Sequence, residues 1–110
     1  MENIFDIEEK IDRIKSAILT HVQAKYIYLF GSYAYGKPRA DSDVDIYAVI
    51  PDEAEGDMFL HGTILWDLID FTSPEIDLIL CSESKFHKLK TLSRFEETVY
   101  EKGRLLYENI

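Results

Sequence analysis

The sequence predicts an α/β (α+β) domain in which helices pack against one small mixed β-sheet. Three observations lead to this fold class. Apolar residues recur at helical spacing near the N-terminus, short runs of aromatic and β-branched residues alternate with polar turns, and 110 residues suffice for one domain. Hydrophobic residues make up 46% of the chain, so a core can form and global disorder is excluded. We therefore expect residues 1–110 to form a single domain.

The first half of the chain predicts one long helix and two strands. Residues 7–22 carry isoleucine and valine at spacings of three and four, which is the stripe of an amphipathic helix. Residues 25–30 are aromatic and β-branched, and residues 43–50 form a similar run that stops at Pro51. Between these strands, residues 31–42 are small and polar, and we expect a short helix to begin there.

The second half continues the alternation of helices and strands. An acidic loop at 51–56 precedes an apolar segment at 57–71 that is long enough for a helix. Residues 76–81 predict a third strand, and residues 84–102 predict one or two helices. Gly103 is the expected C-terminal cap, and a short closing strand follows it.

The helix predicted at 57–71 is apolar around most of its circumference. Its polar wedge consists of Thr63, Asp67 and Asp70. A surface helix usually shows a narrower apolar stripe. Two interpretations remain open: the helix is buried more deeply within the domain, or Phe59 and Trp66, at one border of the apolar arc, belong to a partner interface.

The charge balance excludes several classes of function. Lys and Arg total 12 against 21 Asp and Glu, a formal net charge of −9, which disfavours binding of long nucleic acid and of anionic membranes. No segment approaches the roughly 18 apolar residues of a membrane span, and the N-terminus lacks the pattern of a signal peptide. The single Cys81 excludes an internal disulfide. We therefore expect a soluble, cytoplasmic protein.

One basic cluster stands out in this acidic chain. It consists of Lys85, Lys88, Lys90 and Arg94. Two interpretations are compatible with it: a solvated helix face, or a docking patch for an acidic partner or nucleic acid.

The segment from Gly31 to Asp45 carries the strongest functional pattern. Gly31 and Ser32 follow a predicted strand directly, and after ten intervening residues Asp43 and Asp45 open the next strand. A Gly-Ser pair that leads into a short helix presents backbone N–H groups and a hydroxyl to an anion. Two carboxylates two positions apart on an extended chain point to the same side, and such a pair suits a hard cation such as Mg²⁺.

Asp77 adds a third carboxylate to this pattern. It lies within an otherwise apolar strand, where a charged group needs a partner. If that strand lies beside the one that carries Asp43 and Asp45, the three carboxylates converge. Three carboxylates and an anion-binding turn describe a two-metal site for phosphoryl or nucleotidyl transfer.

This pattern resembles the signature of the nucleotidyltransferase superfamily, and the short chain resembles its minimal nucleotidyltransferase (MNT) family. The resemblance extends from the first strand to the closing segment after Gly103, and it implies a nucleotidyltransferase-like fold. The resemblance assigns nucleotide binding to Gly31 and Ser32, and catalysis and the binding of two Mg²⁺ ions to Asp43, Asp45 and Asp77. Many members have an arginine at the position of Tyr35, where it would contact a phosphate. In this chain, Lys37 or Arg39 is expected to make that contact instead.

MNT proteins are commonly partners of HEPN-domain proteins in prokaryotic toxin–antitoxin pairs. The resemblance therefore implies a protein adenylyltransferase that moves AMP from ATP to a tyrosine of a HEPN toxin and so acts as an antitoxin, within a homo- or hetero-oligomer. Two alternatives remain open. The first is an antitoxin that neutralises its partner by contact alone, and the second is a transferase for a small molecule such as an aminoglycoside. The short chain argues against the second, because such enzymes generally carry an added acceptor-binding domain.

Overall fold

The computed structural model describes residues 4–39, 42–70 and 75–109. Its helices and strands are, in chain order, α1 (Ile4–His21), β1 (Tyr26–Phe30), α2 (Ser32–Tyr35), β2 (Val44–Ile50), α3 (Leu60–Trp66), β3 (Ile76–Ser82), α4 (Glu83–Leu92), α5 (Arg94–Lys102) and β4 (Arg104–Glu108). A single 3₁₀ turn follows β2. The predicted α/β class is confirmed. Within the described ranges, no helix combines the length and the apolar character needed to cross a membrane.

The four strands form one mixed sheet in the order β3-β2-β1-β4. β1 pairs antiparallel with both β2 and β4, whereas β2 and β3 are parallel. The chain crosses from the end of β2 to the start of β3 through α3. Because the two strands are parallel, they begin at the same edge of the sheet, and this edge carries the predicted carboxylates.

Both faces of the sheet are covered, which explains the nearly continuous apolar runs of β1 and β2. On one face, α1 and α3 contribute Ile14, Ile18 and Ile64 to a core that includes Ile27 and Leu29. A second core on the opposite face consists of Tyr28, Phe30, Tyr47, Val49, Phe86 and Val99. Alternate residues of each strand thus enter opposite cores, as the period of two in a strand requires.

The helix expected at 57–71 is shorter in the structure, where α3 spans only Leu60–Trp66. Leu60, Ile64 and Leu68 are buried at a spacing of four, so the helix buries one stripe only. Phe59 is 73% exposed and Trp66 is 69% exposed, so the interpretation of deeper burial is wrong for both. Residue 71 lies outside the described residues.

The C-terminal segment forms two helices and a strand. Ser93 has extended backbone angles between α4 and α5 and divides the segment predicted at 84–102. The N–H of Gly103 donates to the carbonyl of Val99 at 2.9 Å, which confirms the cap at the end of α5. β4 then pairs with β1 and completes the sheet.

Candidate active site

The parallel register brings two of the predicted carboxylates together. Asp45 and Asp77 are each the second residue of their strand, and they are direct Cα partners in the β2–β3 pairing. Asp43 immediately precedes β2. Asp45 is half-buried, while Asp43 and Asp77 are exposed. From the sequence, the carboxylates were expected to converge only if the strand of Asp77 lies beside that of Asp45. The structure has these two strands side by side.

Like charges and partial burial perturb Asp45. Burial raises the pKa of its carboxyl from 3.8 to about 6, and the negative charges of Asp77 and Asp43 add to the rise. A carboxyl whose pKa is raised by burial and by neighbouring carboxylates is typical of sites that bind a cation or transfer a proton. A bound cation would relieve the repulsion.

Gly31 allows the backbone to approach this carboxylate closely. Its φ angle is +73°, a conformation that L side chains rarely adopt, and a Cβ atom added here would lie 2.0 Å from Oδ2 of Asp45. The contact arises because Phe30 is paired with Asp45 across the β1–β2 hairpin. The sequence indicated Gly31 as an anion-binding residue but not as a steric partner of Asp45. The antiparallel pairing of β1 with β2 is the signal that reveals this second role.

Ser32 begins the four-residue helix α2 directly after Gly31. The turn is tight: the N–H groups of Ala34 and Tyr35 donate to the carbonyl of Gly31 at 3.0 and 3.1 Å. A Cβ added to Gly36 would lie 2.8 Å from Cα of Ser32, so the second glycine closes the same turn. Ser32 thus directly follows, within a tight turn, the glycine whose backbone approaches Asp45.

Lys37 and Arg39 lie in the exposed loop between α2 and β2. The N–H of Arg39 donates to Oγ of Ser42 at 2.8 Å, and its carbonyl accepts a hydrogen bond from the Tyr33 hydroxyl at 3.2 Å. These bonds fix the backbone of the loop. Neither basic side chain forms an ion pair with another described residue, so the structure places both on the loop that leads to Asp43 but does not bring them into the carboxylate group.

The donor set at this edge fits Mg²⁺ in chemistry, since carboxylate oxygens are its preferred protein ligands. Across residues 4–39, 42–70 and 75–109, no three His, Cys, Asp or Glu side chains already stand together as a metal site. Asp45 and Asp77, with Asp43 beside them, are the residues that would hold the ion.

The basic cluster lies on α4 and α5. Lys85 forms an ion pair with Glu55, and the Lys90 ammonium lies 4.4 Å from the centre of the Tyr100 ring. Two of the four basic side chains are therefore engaged within the molecule, which favours the solvated helix face over a docking patch.

Comparison with known proteins adds a family and a fold. The family model of the nucleotidyltransferase domain matches residues 11–106. The chain is similar to one chain of a toxin–antitoxin crystal structure with AMP-PNP, at 22% identity and a TM-score of 0.59, over 89% of this chain and 73% of that one. It is also similar to a Sulfolobus solfataricus protein described as a nucleotidyltransferase, at 23% identity and a TM-score of 0.52, over 98% and 91%.

At these identities the two solved structures support the fold alone. No curated protein matches the chain. The family model, however, covers most of the chain and includes every candidate site residue from Gly31 to Asp77. This protein therefore belongs to the nucleotidyltransferase domain family.

Proposed function

We propose that this protein is a Mg²⁺-dependent enzyme that transfers AMP from ATP to a hydroxyl group. The observation that carries the proposal is the pairing of Asp45 with Asp77 in parallel register, with the Gly31 backbone against the same carboxylate. Membership of the nucleotidyltransferase domain family supports a nucleotide substrate.

Each site residue has a role in this proposal. The backbone of Gly31 and the hydroxyl of Ser32 bind the terminal phosphates, and Lys37 or Arg39 adds positive charge from the loop. Asp43, Asp45 and Asp77 hold Mg²⁺, which when bound supplies charge neutralisation at the phosphates. The acceptor oxygen bonds to the α-phosphorus, the bond to the bridging oxygen breaks, and pyrophosphate leaves. Asp77 accepts the proton of the acceptor hydroxyl.

The proposed acceptor is a tyrosine of a HEPN-domain toxin, which makes the protein a cytoplasmic antitoxin. Similarity to a chain of a toxin–antitoxin structure with AMP-PNP supports this choice, as does the resemblance to the MNT family. The net charge of −9 suits binding to a basic protein. A domain of this size can hold the donor half of the site, and the toxin supplies the acceptor half.

Intact mass spectrometry of the co-expressed complex tests this function. Incubation with ATP and Mg²⁺ is expected to add one or more AMP units to the toxin. Asp43→Asn combined with Asp45→Asn should abolish the addition and leave the fold intact. Asp12→Asn combined with Glu101→Gln is the matched control, since it removes two exposed negative charges elsewhere. Addition of AMP that persists in the first double variant contradicts the assignment.

A second candidate function is neutralisation of the toxin by contact alone. The exposed apolar residues before and on α3, Met58, Phe59 and Trp66, favour it because such residues on a folded domain mark a binding surface. Tight binding with no change in mass supports this candidate. Absence of binding together with transfer to a small-molecule hydroxyl instead supports an aminoglycoside-type transferase.

A further inference from the structure

A contiguous apolar surface lies on the solvent side of α3 and its flanking turns. We define the α3 patch as Met58, Phe59, Gly62, Trp66 and Ile69. Its four large side chains are between 66% and 81% exposed. A groove of about 300 Å³ runs along it, lined by Met58, Phe59, Gly62, Thr63 and Trp66. Large apolar side chains gathered in this way on a folded domain indicate a protein-binding surface.

Gly62 lies in the middle of this groove, although the packing of the domain does not require a glycine there. A Cβ atom added to Gly62 meets nothing within 4 Å, so the fold would accept a side chain there. Glycine also weakens a helix interior relative to alanine. Phe59 and Trp66 stand one turn to either side, and the glycine leaves a hollow between them. Such a hollow accommodates a large side chain from another molecule.

The charge around the patch decides which kind of molecule fits. Residues 51–70 contain six acidic residues and no lysine or arginine. Glu55, Asp67 and Asp70 already have partners in Lys85, His21 and Arg13, which leaves the loop before α3 acidic. A second copy of this chain would place like charges against each other, because a twofold interface uses the same surface twice. The rim is instead complementary to a basic partner.

The course of α3 relates the patch to the active-site edge. α3 runs from the end of β2 back towards the start of β3, and Asp45 and Asp77 lie at that start. The side chains of Asp45 and Asp77 are on the opposite face of the sheet, because Ile46 and Leu78 pack on the α3 side. A partner seated along α3 must therefore reach them around the edge at which β2 and β3 begin.

We propose that the α3 patch is the docking surface for the acceptor protein and receives an amphipathic helix whose apolar side chains are flanked by lysine or arginine. The identity of this partner as the acceptor rests on the proposed function. The binding itself does not require catalysis.

Affinity for the purified HEPN toxin, measured without nucleotide, tests the docking surface. Gly62→Leu fills the hollow and is expected to raise the dissociation constant by about tenfold or more while raising the Tm of the isolated chain. Met58→Glu should weaken binding to a similar degree. Leu92→Glu is its matched control, since Leu92 and Met58 are both 81% exposed, and it should leave affinity unchanged. The dissociation constant of the wild-type chain should also rise with salt.

Other outcomes overturn the inference. The inference is wrong if both patch variants bind the toxin with unchanged affinity, or if the wild-type chain does not bind the toxin. It is also wrong if the wild-type chain self-associates and Met58→Glu abolishes this self-association. The outcome is separable from that of the proposed function. If AMP is transferred but the patch variants do not change binding, the docking surface alone is refuted. If binding depends on the patch but no AMP is transferred, the catalytic role alone is refuted.

Discussion

The surroundings of Asp45 disfavour the charged form of its side chain. Its carboxylate is half-buried, faces two further carboxylates and has the backbone of Gly31 against one oxygen. Residues kept in such positions commonly serve function at the expense of stability. The sequence identified Asp43, Asp45 and Asp77 because paired carboxylates at strand starts form a recognisable pattern. It could not reveal which two face each other, since strand register depends on tertiary structure.

Asp45→Asn is expected to stabilise the metal-free protein at neutral pH. The pKa of about 6 in the folded state exceeds the ordinary 3.8, so ionisation of Asp45 destabilises the fold as pH rises from about 4 to 6. Above pH 7 the variant should gain about 1 kcal/mol, after allowance for solvent screening. Urea denaturation in EDTA measures this gain, which should vanish below about pH 4. A variant that is less stable than the wild type at pH 7 contradicts the electrostatic description.

At the scale of elements, the strands were predicted closely and α3 was not. The bounds of β1, β2 and β3 agree with expectation to within about one residue, because their apolar runs are bordered by turn residues. The apolar content of 57–71 instead suggested a longer, more buried helix. Apolar side chains that face solvent look the same in a sequence as buried ones, so the exposure of Phe59 and Trp66 required the structure.

Gly62→Ala should stabilise the isolated domain by roughly 0.5–1 kcal/mol, because alanine is the better residue in a helix interior. The added Cβ atom meets nothing within 4 Å, so no packing penalty offsets the gain. Thermal unfolding of the variant measures it. A loss of stability would show that Gly62 serves the fold rather than an external contact.

At the scale of the whole molecule, an ion pair joins the two ends of the chain. The guanidinium of Arg104 on β4 donates to both carboxylate oxygens of Glu8 on α1, at 2.7 and 3.0 Å. This bidentate contact lowers the pKa of Glu8. The sheet order β3-β2-β1-β4 and this long-range contact were not predictable from local patterns, because both depend on how distant elements pack.

Arg104→Ala is expected to lower the free energy of unfolding at pH 7 by about 0.5–1 kcal/mol, the usual range for an exposed pair of good geometry. The folded-state pKa of Glu8 lies below its ordinary 4.5, so the contribution is present above that value and is lost as pH falls through the lowered pKa. Denaturation of the wild type and the variant at pH 7 and at pH 3 measures the difference in their free energies of unfolding at each pH. An equal difference at both would contradict an ionic origin.

The proposed function assigns a nucleotidyl transfer site to Gly31, Ser32 and the three aspartates. The fate of ATP labelled at the α-phosphate or, separately, at the γ-phosphate tests it most directly in the complex with the toxin. With Mg²⁺, we predict that the α-label enters the toxin, that the γ-label leaves with pyrophosphate, and that Asp43→Asn combined with Asp45→Asn abolishes the incorporation. Incorporation of the γ-label, or α-label incorporation that the double variant leaves unchanged, would contradict nucleotidyl transfer at this site.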